Sequence, residues 1–278
     1  LRRRLQVRPL PGTPDFGTIC SWRKELQTKS LRIRTMKNAS TSQDSRNWIY
    51  RHGYNVRICH WINVIACGYL LASGVMIFLQ FPELYWGKVG FQGYEAVFKL
   101  SDWGLTWDEA DALGNRRWGR NYHFLFAWIF LINGVIYLVW NLWKKHFVQK
   151  MLPRREELGF GHLKKEIGNH LRLRAPTGEA ARRYNVLQKL SYLVVIFLLF
   201  PFMLLSGLAQ MPAFTAIWPE LIDLFGGRQT ARTLHVIATL FLLLFVIVHL
   251  IEVFVAGVIN QIRSMITGSY LLPAEEEK

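Results

Sequence analysis

The chain has 278 residues, 51% of them hydrophobic and 19% charged, and its formal net charge is +15. Soluble domains usually carry about 25% charged residues, and nucleic-acid-binding domains set basic residues beside a modest core. Here the apolar residues stand in long uncharged runs, which indicates membrane helices and no nucleic-acid partner. The cysteines form no C-x-x-C, which excludes a zinc knuckle, a cysteine-ligated cluster and covalent haem attachment.

The first part of the chain is basic and polar. Without a clear hydrophobic periodicity, residues 1–50 are expected to form a disordered segment. Met36 opens a more conventional polar stretch, so we expect translation to start there, with residues 1–35 upstream of it. The first apolar run comes only after about 60 residues, which does not fit a secretory signal peptide. N-terminal sequencing of the native protein would test the start site.

Four uncharged stretches are long enough to cross a bilayer, which takes about 20 mostly apolar residues in a helix. They are Trp61 to Leu79, His123 to Trp143, Leu190 to Gln210 and Thr233 to Ile251. With their flanks they predict spans near 59–81, 122–144, 187–210 and 230–262, in one domain over 51–270 with a tail over 271–278. The sequence therefore predicts an all-α membrane protein, a four-helix bundle in the lipid bilayer.

The charges between the spans predict the orientation of the bundle. Residues 1–50 hold 11 Lys/Arg against 3 Asp/Glu, and residues 144–184 hold 11 against 4. Residues 82–122 hold 5 against 6, and residues 212–233 hold 2 against 2. Because basic segments stay on the cytoplasmic side, both termini and the middle loop are expected in the cytoplasm of a bacterial cell.

Four histidines lie at or within the ends of the spans. His235 and His249 share one helix and are 14 residues apart, which is about 21 Å along the axis and within about 40° of whole turns, so they share a face. His60 begins the first span near the inner surface, and His123 begins the second near the outer surface. Depth therefore pairs His60 with His249 and His123 with His235. The other histidines lie in polar segments and are expected to be solvated; they are His52, His146, His162 and His170.

Paired histidines in a membrane bundle favour a cofactor site. Ionisable groups inside a membrane usually face the bundle interior and serve a site, and two opposed neutral imidazoles can supply both axial ligands of a haem iron. A zinc or di-iron site would need its ligands at one depth and more carboxylates than Glu252. Two bis-histidine b-type haems are the prediction. A non-haem transporter with histidines lining its pathway is the alternative.

Haem propionates need cations on the water side of the ligands. An arginine stands three positions before three of the four histidines, which puts it on the same helix face. These arginines are Arg57, Arg120 and Arg232. Two interpretations are equally well supported. These arginines pair with haem propionates, or they anchor the ends of the spans, as arginine commonly does.

Several motifs resemble those of a known family. Arg57-Ile58-Cys59-His60-Trp61, followed by Leu71-Ala72-Ser73-Gly74, is similar to the first span of the cytochrome b (gamma) subunit of respiratory formate dehydrogenase. Tyr184-Asn185-Val186-Leu187-Gln188-Lys189 resembles the start of its third span, and the segment from His235 through Gly268 resembles its last span. The related b-type cytochromes of nickel–iron hydrogenases and thiosulfate reductases belong to the same superfamily. The resemblance covers roughly residues 50–270.

The resemblance implies a function in respiratory electron transport. The chain would anchor a periplasmic molybdenum or iron–sulfur oxidoreductase in the inner membrane and carry electrons between it and the quinone pool. It implies two haem b groups, with His60 and His249 on the inner iron and His123 and His235 on the outer one. It also implies Asn185 and Gln188 as hydrogen-bond partners of the quinone. The chain itself would perform the quinone half-reaction at most.

The long segment over 82–122 departs from that family. It contains Trp86, Trp103, Trp107 and Trp118, and we expect this aromatic outer loop to dock the periplasmic partner. An amphipathic loop on the outer leaflet is the other interpretation. A stand-alone transmembrane electron-transfer cytochrome, without a catalytic partner, is the alternative function.

Overall fold

The computed structural model describes residues 25–36, 47–91, 93–144, 151–173, 182 and 184–273. The chain forms two units, Leu1–Ile49 and Tyr50–Lys278. In the first unit a fully exposed helix, α1, covers residues 25–36 of the segment expected to be disordered. That stretch holds neither glycine nor proline, so local propensity permits a helix. The remainder of that segment up to residue 46, like the end of the tail over 274–278, lies outside the described residues.

The second unit is almost entirely helical. In chain order, the strand at the junction and the elements after it are β1 (Trp48–Tyr50), α2 (Tyr54–Leu79), β2 (Glu83–Leu84), β3 (Phe98–Lys99), α3 (Trp107–Leu113), α4 (Arg116–Trp143), α5 (Phe160–Leu171), α6 (Val186–Val194), a π turn (Val195–Leu199), α7 (Phe200–Leu208), α8 (Pro212–Thr215), α9 (Glu220–Leu224), α10 (Arg228–Val255), α11 (Val258–Thr267) and β4 (Ser269–Leu271). Short 3₁₀ turns cover Leu100–Trp103 and Arg155–Leu158.

Four helices among the described residues are long and apolar enough to cross a membrane, which confirms the predicted bundle. They are α2, α4, the continuous helix Val186–Leu208 and α10. At most 11% of the most apolar stretch of each is buried within the protein. Large side chains such as Val139 and Leu240 are about 60% exposed. So much apolar surface is unfavourable in water and is matched by lipid.

The two ends of the bundle are named here by the direction of the chain. The proximal end is where the first and third spans begin, at Tyr54 and Val186, and the distal end is where they finish. The fourth span ends at Val255, earlier than the predicted 262, because Gly257 takes φ +91° and turns the chain into the separate helix α11.

Polar and irregular features within the spans fix how the helices pack. The first and second spans form the most extensive contact of the bundle. Between them the buried Asn133 donates to the Cys59 carbonyl at 2.9 Å and to Oδ1 of Asn63 at 2.7 Å. The third span contains the π turn just before Pro201, whose ring nitrogen cannot donate to the preceding turn.

The distal loops are tied to the start of α10. Strands β2 and β3 pair antiparallel, with Glu83 opposite Lys99. The N–H of Gly87 donates to Thr230 Oγ1 at 2.7 Å. Gly227 has φ +129°, and a Cβ there would lie 2.3 Å from the Gly87 carbonyl oxygen, so only glycine fits this approach. The distal loop over residues 83–99 therefore has a fixed position relative to the fourth span.

Candidate functional site

The distal histidine pair joins the second span to the fourth. His123 lies about two turns into α4, and His235 lies about two turns into α10. The ring centres are 6.3 Å apart, with planes inclined by 63°. The two rings face one another inside the bundle, near its distal end.

The proximal pair joins the first span to the fourth. The rings of His60 and His249 have centres 6.4 Å apart and planes inclined by 60°. Phe245 stacks on the His249 ring, with centres 6.2 Å apart, and Trp61 meets the His60 ring edge-on. The structure therefore brings together the same two histidine pairs that their depths along the spans predict.

The separation within each pair fits one metal ion between two imidazoles. An imidazole nitrogen bonds a first-row metal at about 2.0–2.1 Å and lies about 1.1 Å from its ring centre, so an intervening iron sets the centres about 6.3 Å apart. Rings joined directly by a hydrogen bond of about 2.9 Å would stand about 5 Å apart. Within the described part of the chain, no three His, Cys, Asp or Glu side chains gather into a metal site. A bis-histidine haem therefore fits each pair better than zinc or di-iron.

Each distal histidine has a serine at its second ring nitrogen. Ser73 Oγ lies 3.0 Å from Nδ1 of His123, and Ser206 Oγ lies 2.9 Å from Nδ1 of His235. Both serines are fully buried. With Nδ1 engaged, the Nε2 atom of each ring remains for a metal.

A glycine follows each of these serines and lies against the ring of the histidine. A Cβ on Gly74 would lie 3.5 Å from Cε1 of His123, and one on Gly207 would lie 3.4 Å from Cε1 of His235. Our sequence prediction did not include the two serines. The signal was present, because Leu-x-Ser-Gly occurs in both spans, as Leu71–Gly74 and Leu204–Gly207.

The three predicted propionate arginines have different surroundings. Arg232 donates from Nη1 to the Glu83 carbonyl at 2.6 Å and from Nη2 to the Phe81 carbonyl. Arg57 donates to the Ile266 carbonyl in α11, and its buried Nε has no hydrogen-bond partner among the residues that the structure describes. Arg120 is exposed near the start of α4. Two of the three therefore donate to backbone carbonyls of other segments, and a role towards propionates stays a prediction.

The two predicted quinone residues form a capping box at the start of the third span. Oδ1 of Asn185 accepts from the Leu187 N–H at 2.9 Å, and Oε1 of Gln188 accepts from the Asn185 N–H at 3.3 Å. The Asn185 amide also donates to Glu166 of α5. Both polar atoms of Asn185 are thus engaged in holding the helix start.

Gln188 instead reaches an open cavity beside the proximal pair. The cavity has an empty volume of about 260 Å³, and its lining includes Gln188, Tyr192, His249 and Glu252. The Gln188 amide donates to Glu252 at 3.3 Å. The other oxygen of Glu252 lies 2.8 Å from Nε2 of His170. The structure therefore brings a loop histidine, expected to be solvated, to the edge of this cavity.

A second contact holds the same loop against the third span. The Lys189 ammonium, almost fully buried, lies 2.7 Å from a carboxylate oxygen of Glu157. Burial raises the pKa of the Glu157 carboxyl, but hydrogen bonding to Lys189 and its charge outweigh burial and hold the pKa below its usual value. The proximal cavity is thus walled by spans and by a loop anchored to them.

A sequence model of prokaryotic cytochrome b561 matches residues 51–268. The chain is also similar to a putative protein-methionine-sulfoxide reductase subunit, YedZ1, of Azospira oryzae, with 28% identity over 213 residues. That alignment covers 77% of this chain and 93% of the relative. No solved structure matches.

Proposed function

Because the chain belongs to the prokaryotic cytochrome b561 family of haem b membrane electron-transfer proteins, we propose that it is the two-haem cytochrome b subunit of a membrane-bound oxidoreductase. The observation that carries this proposal is the separation of 6.3 Å and 6.4 Å within the two histidine pairs. His123 and His235 would hold the distal haem, and His60 and His249 the proximal one. When bound, each haem iron accepts and releases single electrons.

The protein's own part is to fix the two haems at opposite ends of one bundle. His235 and His249 are 14 residues apart on α10, which separates them by about 21 Å along the helix. Two histidines at each site would leave a bound iron no open position, which suits electron transfer rather than binding of oxygen.

The proximal cavity supports a quinone or quinol as the exchangeable partner. The cavity is open and is lined by the third and fourth spans, so it suits contact with a head group whose tail remains in lipid. Gln188 offers an amide that can donate to a quinone oxygen or accept from a quinol hydroxyl. We assign Asn185 the supporting role of fixing the helix that carries Gln188.

The distal surface supports a periplasmic oxidoreductase as the second partner. Its loops expose apolar side chains, among them Trp86 and Trp103, and are held in place against α10. The name of the Azospira oryzae relative describes a subunit of a reductase for methionine sulfoxide in proteins. A molybdenum or iron–sulfur enzyme of that general kind, including one related to formate dehydrogenase, is the partner class that we propose.

The orientation follows from the charge distribution. With the basic segments in the cytoplasm, the proximal cavity faces the cytoplasm and the distal pair faces the periplasm of a bacterial inner membrane. A stand-alone transmembrane cytochrome would share this geometry but would not copurify with an enzyme. A non-haem transporter would bind no haem.

Haem content of the purified full chain tests the proposal. We expect two haem b per chain, and one in each of the variants His235→Ala and His249→Ala. The matched control is His162→Ala, which removes an exposed histidine of α5 and should leave two. Absence of haem, or two haems in both ligand variants, would contradict it.

The quinone assignment needs a separate measurement. Reduction of the haems by a short-chain quinol analogue should be slower in Gln188→Ala, with haem content unchanged. If the haems of Gln188→Ala are reduced at the normal rate, this result would contradict a role for Gln188 in the quinone site.

A further inference from the structure

We propose that Ser73 and Ser206 are positioning residues that fix both distal histidines for iron and lower the reduction potential of the distal haem relative to a site without them. This inference rests on the proposed function, because it concerns residues that act through the haem ligands. It follows from which atoms donate and which accept around the two distal rings.

The serine hydroxyl has only one proton, and the backbone takes it. Ser73 Oγ lies 2.5 Å from the Tyr69 carbonyl one turn earlier, the closest of its acceptors. Ser206 Oγ donates to the Met203 carbonyl at 3.2 Å, a longer contact than the 2.9 Å to Nδ1 of His235. A hydroxyl that donates to a carbonyl can only accept from a third group.

The proposed ligation makes the histidines the donors. With Nε2 bound to iron, the neutral ring carries its proton on Nδ1, so Nδ1 of His123 donates to Ser73 Oγ and Nδ1 of His235 donates to Ser206 Oγ. Each serine then stabilises the tautomer in which the lone pair of Nε2 is free for the metal.

The same contact between a serine and a distal histidine occurs twice. Each serine lies on a span that carries no distal ligand. Leu-x-Ser-Gly in the first span supports the histidine of the second span, and Leu-x-Ser-Gly in the third span supports the histidine of the fourth. The sequence Tyr-Asn-Val also occurs at the start of the first span, from Tyr54, and immediately before and into the third span, from Tyr184. The two halves of the bundle thus present their distal ligands in the same way.

The proximal pair is built differently. The Nδ1 atom of His60 is buried and has no hydrogen-bond partner among the described residues. Serine support therefore distinguishes the two haem sites within one bundle. The positions of the four histidines in the sequence do not reveal this difference between the two sites.

A hydrogen bond from Nδ1 changes the ligand as well as its orientation. An acceptor at Nδ1–H makes the imidazole a more basic ligand, which favours the more positively charged ferric iron. The reduction potential of the distal haem should therefore be lower with the serines than without them. Two such bonds on one iron should have a larger effect than one.

The test is an optical redox titration of the purified full chain, with His235→Ala and His249→Ala used to assign the two haem signals. We expect Ser73→Ala and Ser206→Ala each to raise the midpoint potential of the distal haem, and the double variant to raise it further. The proximal potential should stay unchanged. The low-spin electron paramagnetic resonance signal of the distal ferric haem should shift in the same variants.

The matched control is Ser264→Ala. Ser264 is also fully buried and donates at 2.8 Å to the carbonyl of Gln261 in its own helix, in α11. It should leave both potentials unchanged. Loss of the distal haem alone in a Ser73 or Ser206 variant would also support positioning.

Three results would overturn the inference. They are two retained haems with an unshifted distal potential, equal shifts of both potentials, and loss of both haems together, since the last two indicate a general structural role. Ser206→Thr, which keeps the hydroxyl, should restore the distal potential if that variant retains both haems. Failure of the proposed function is separate, because it would appear as absence of haem from the unmodified chain.

Discussion

The Nε2 atom of His170 in α5 lies 2.8 Å from the Glu252 carboxylate in the fourth span. Glu252 lies one turn beyond His249 and also accepts from Gln188, so the loop and two spans meet at the proximal cavity. This contact places a residue of the loop between the second and third spans beside the proposed quinone site.

His170→Ala should weaken quinone binding without disturbing the haems. A hydrogen bond to a charged group contributes about 1.5–3 kcal/mol, reduced here by partial exposure, so we expect the KM for a quinol analogue to rise about threefold to tenfold. Steady-state kinetics with a haem spectrum checks this. The control His162→Ala changes an exposed position of the same helix. An unchanged KM would show that the contact does not shape the cavity.

The ion pair between Glu157 and Lys189 predicts an acid-sensitive loop. The pKa of the Glu157 carboxyl is lower in the folded protein than its usual value near 4.5. Its stabilising contribution is therefore complete above that usual value and is lost as pH falls through the folded value. The protection of the α5 amides against hydrogen exchange, relative to their intrinsic rates at each pH, should fall below about pH 4.5, and Glu157→Gln should show the reduced protection already at pH 7. Glu156→Gln, at an exposed neighbour, should behave like the unmodified chain.

Asn133 should stabilise the hairpin of the first two spans. Hydrogen bonds between membrane helices contribute about 0.6 kcal/mol on average and up to about 1.7 kcal/mol, and Asn133 makes two contacts across the hairpin. Asn133→Ala should therefore lower the free energy of unfolding in detergent by about 1–3 kcal/mol. The matched control is Asn141→Ala, because that equally buried amide donates within its own helix to the Tyr137 carbonyl. Equal losses of unfolding free energy in Asn133→Ala and Asn141→Ala would contradict an interhelical role for Asn133.

Arg232 should stabilise the distal loop rather than serve the haem alone. Its guanidinium donates to two backbone carbonyls, of Glu83 and Phe81, which a glutamine cannot reach together. Arg232→Gln should cost about 2–4 kcal/mol and speed proteolysis over residues 81–85. By contrast, Arg120→Gln at an exposed site should change stability by less than about 0.5 kcal/mol. A changed distal haem potential in Arg120→Gln would support its role towards a propionate.

Much of the fold followed from the sequence. The four spans and the family resemblance are confirmed, and the depth and phase of four histidines selected the pairs that the structure brings together. The exact bounds of the spans and the contacts of the arginines were harder to predict from the sequence. The fourth span ends early because of the left-handed Gly257, and Arg232 bonds to a carbonyl 151 residues away in sequence.

The sequence by itself determined which segments enter the membrane and where along them the histidines lie. Transfer to lipid is summed over about 20 consecutive residues, and the helix has a fixed rise and twist, so both properties are local. Only the tertiary structure decided which polar groups meet. Ser73 faces His123, Ser206 faces His235 and Glu252 faces His170 because helices distant in sequence pack side by side. A hydrogen bond depends on distances of a few tenths of an ångström, and only the packing of the helices sets them.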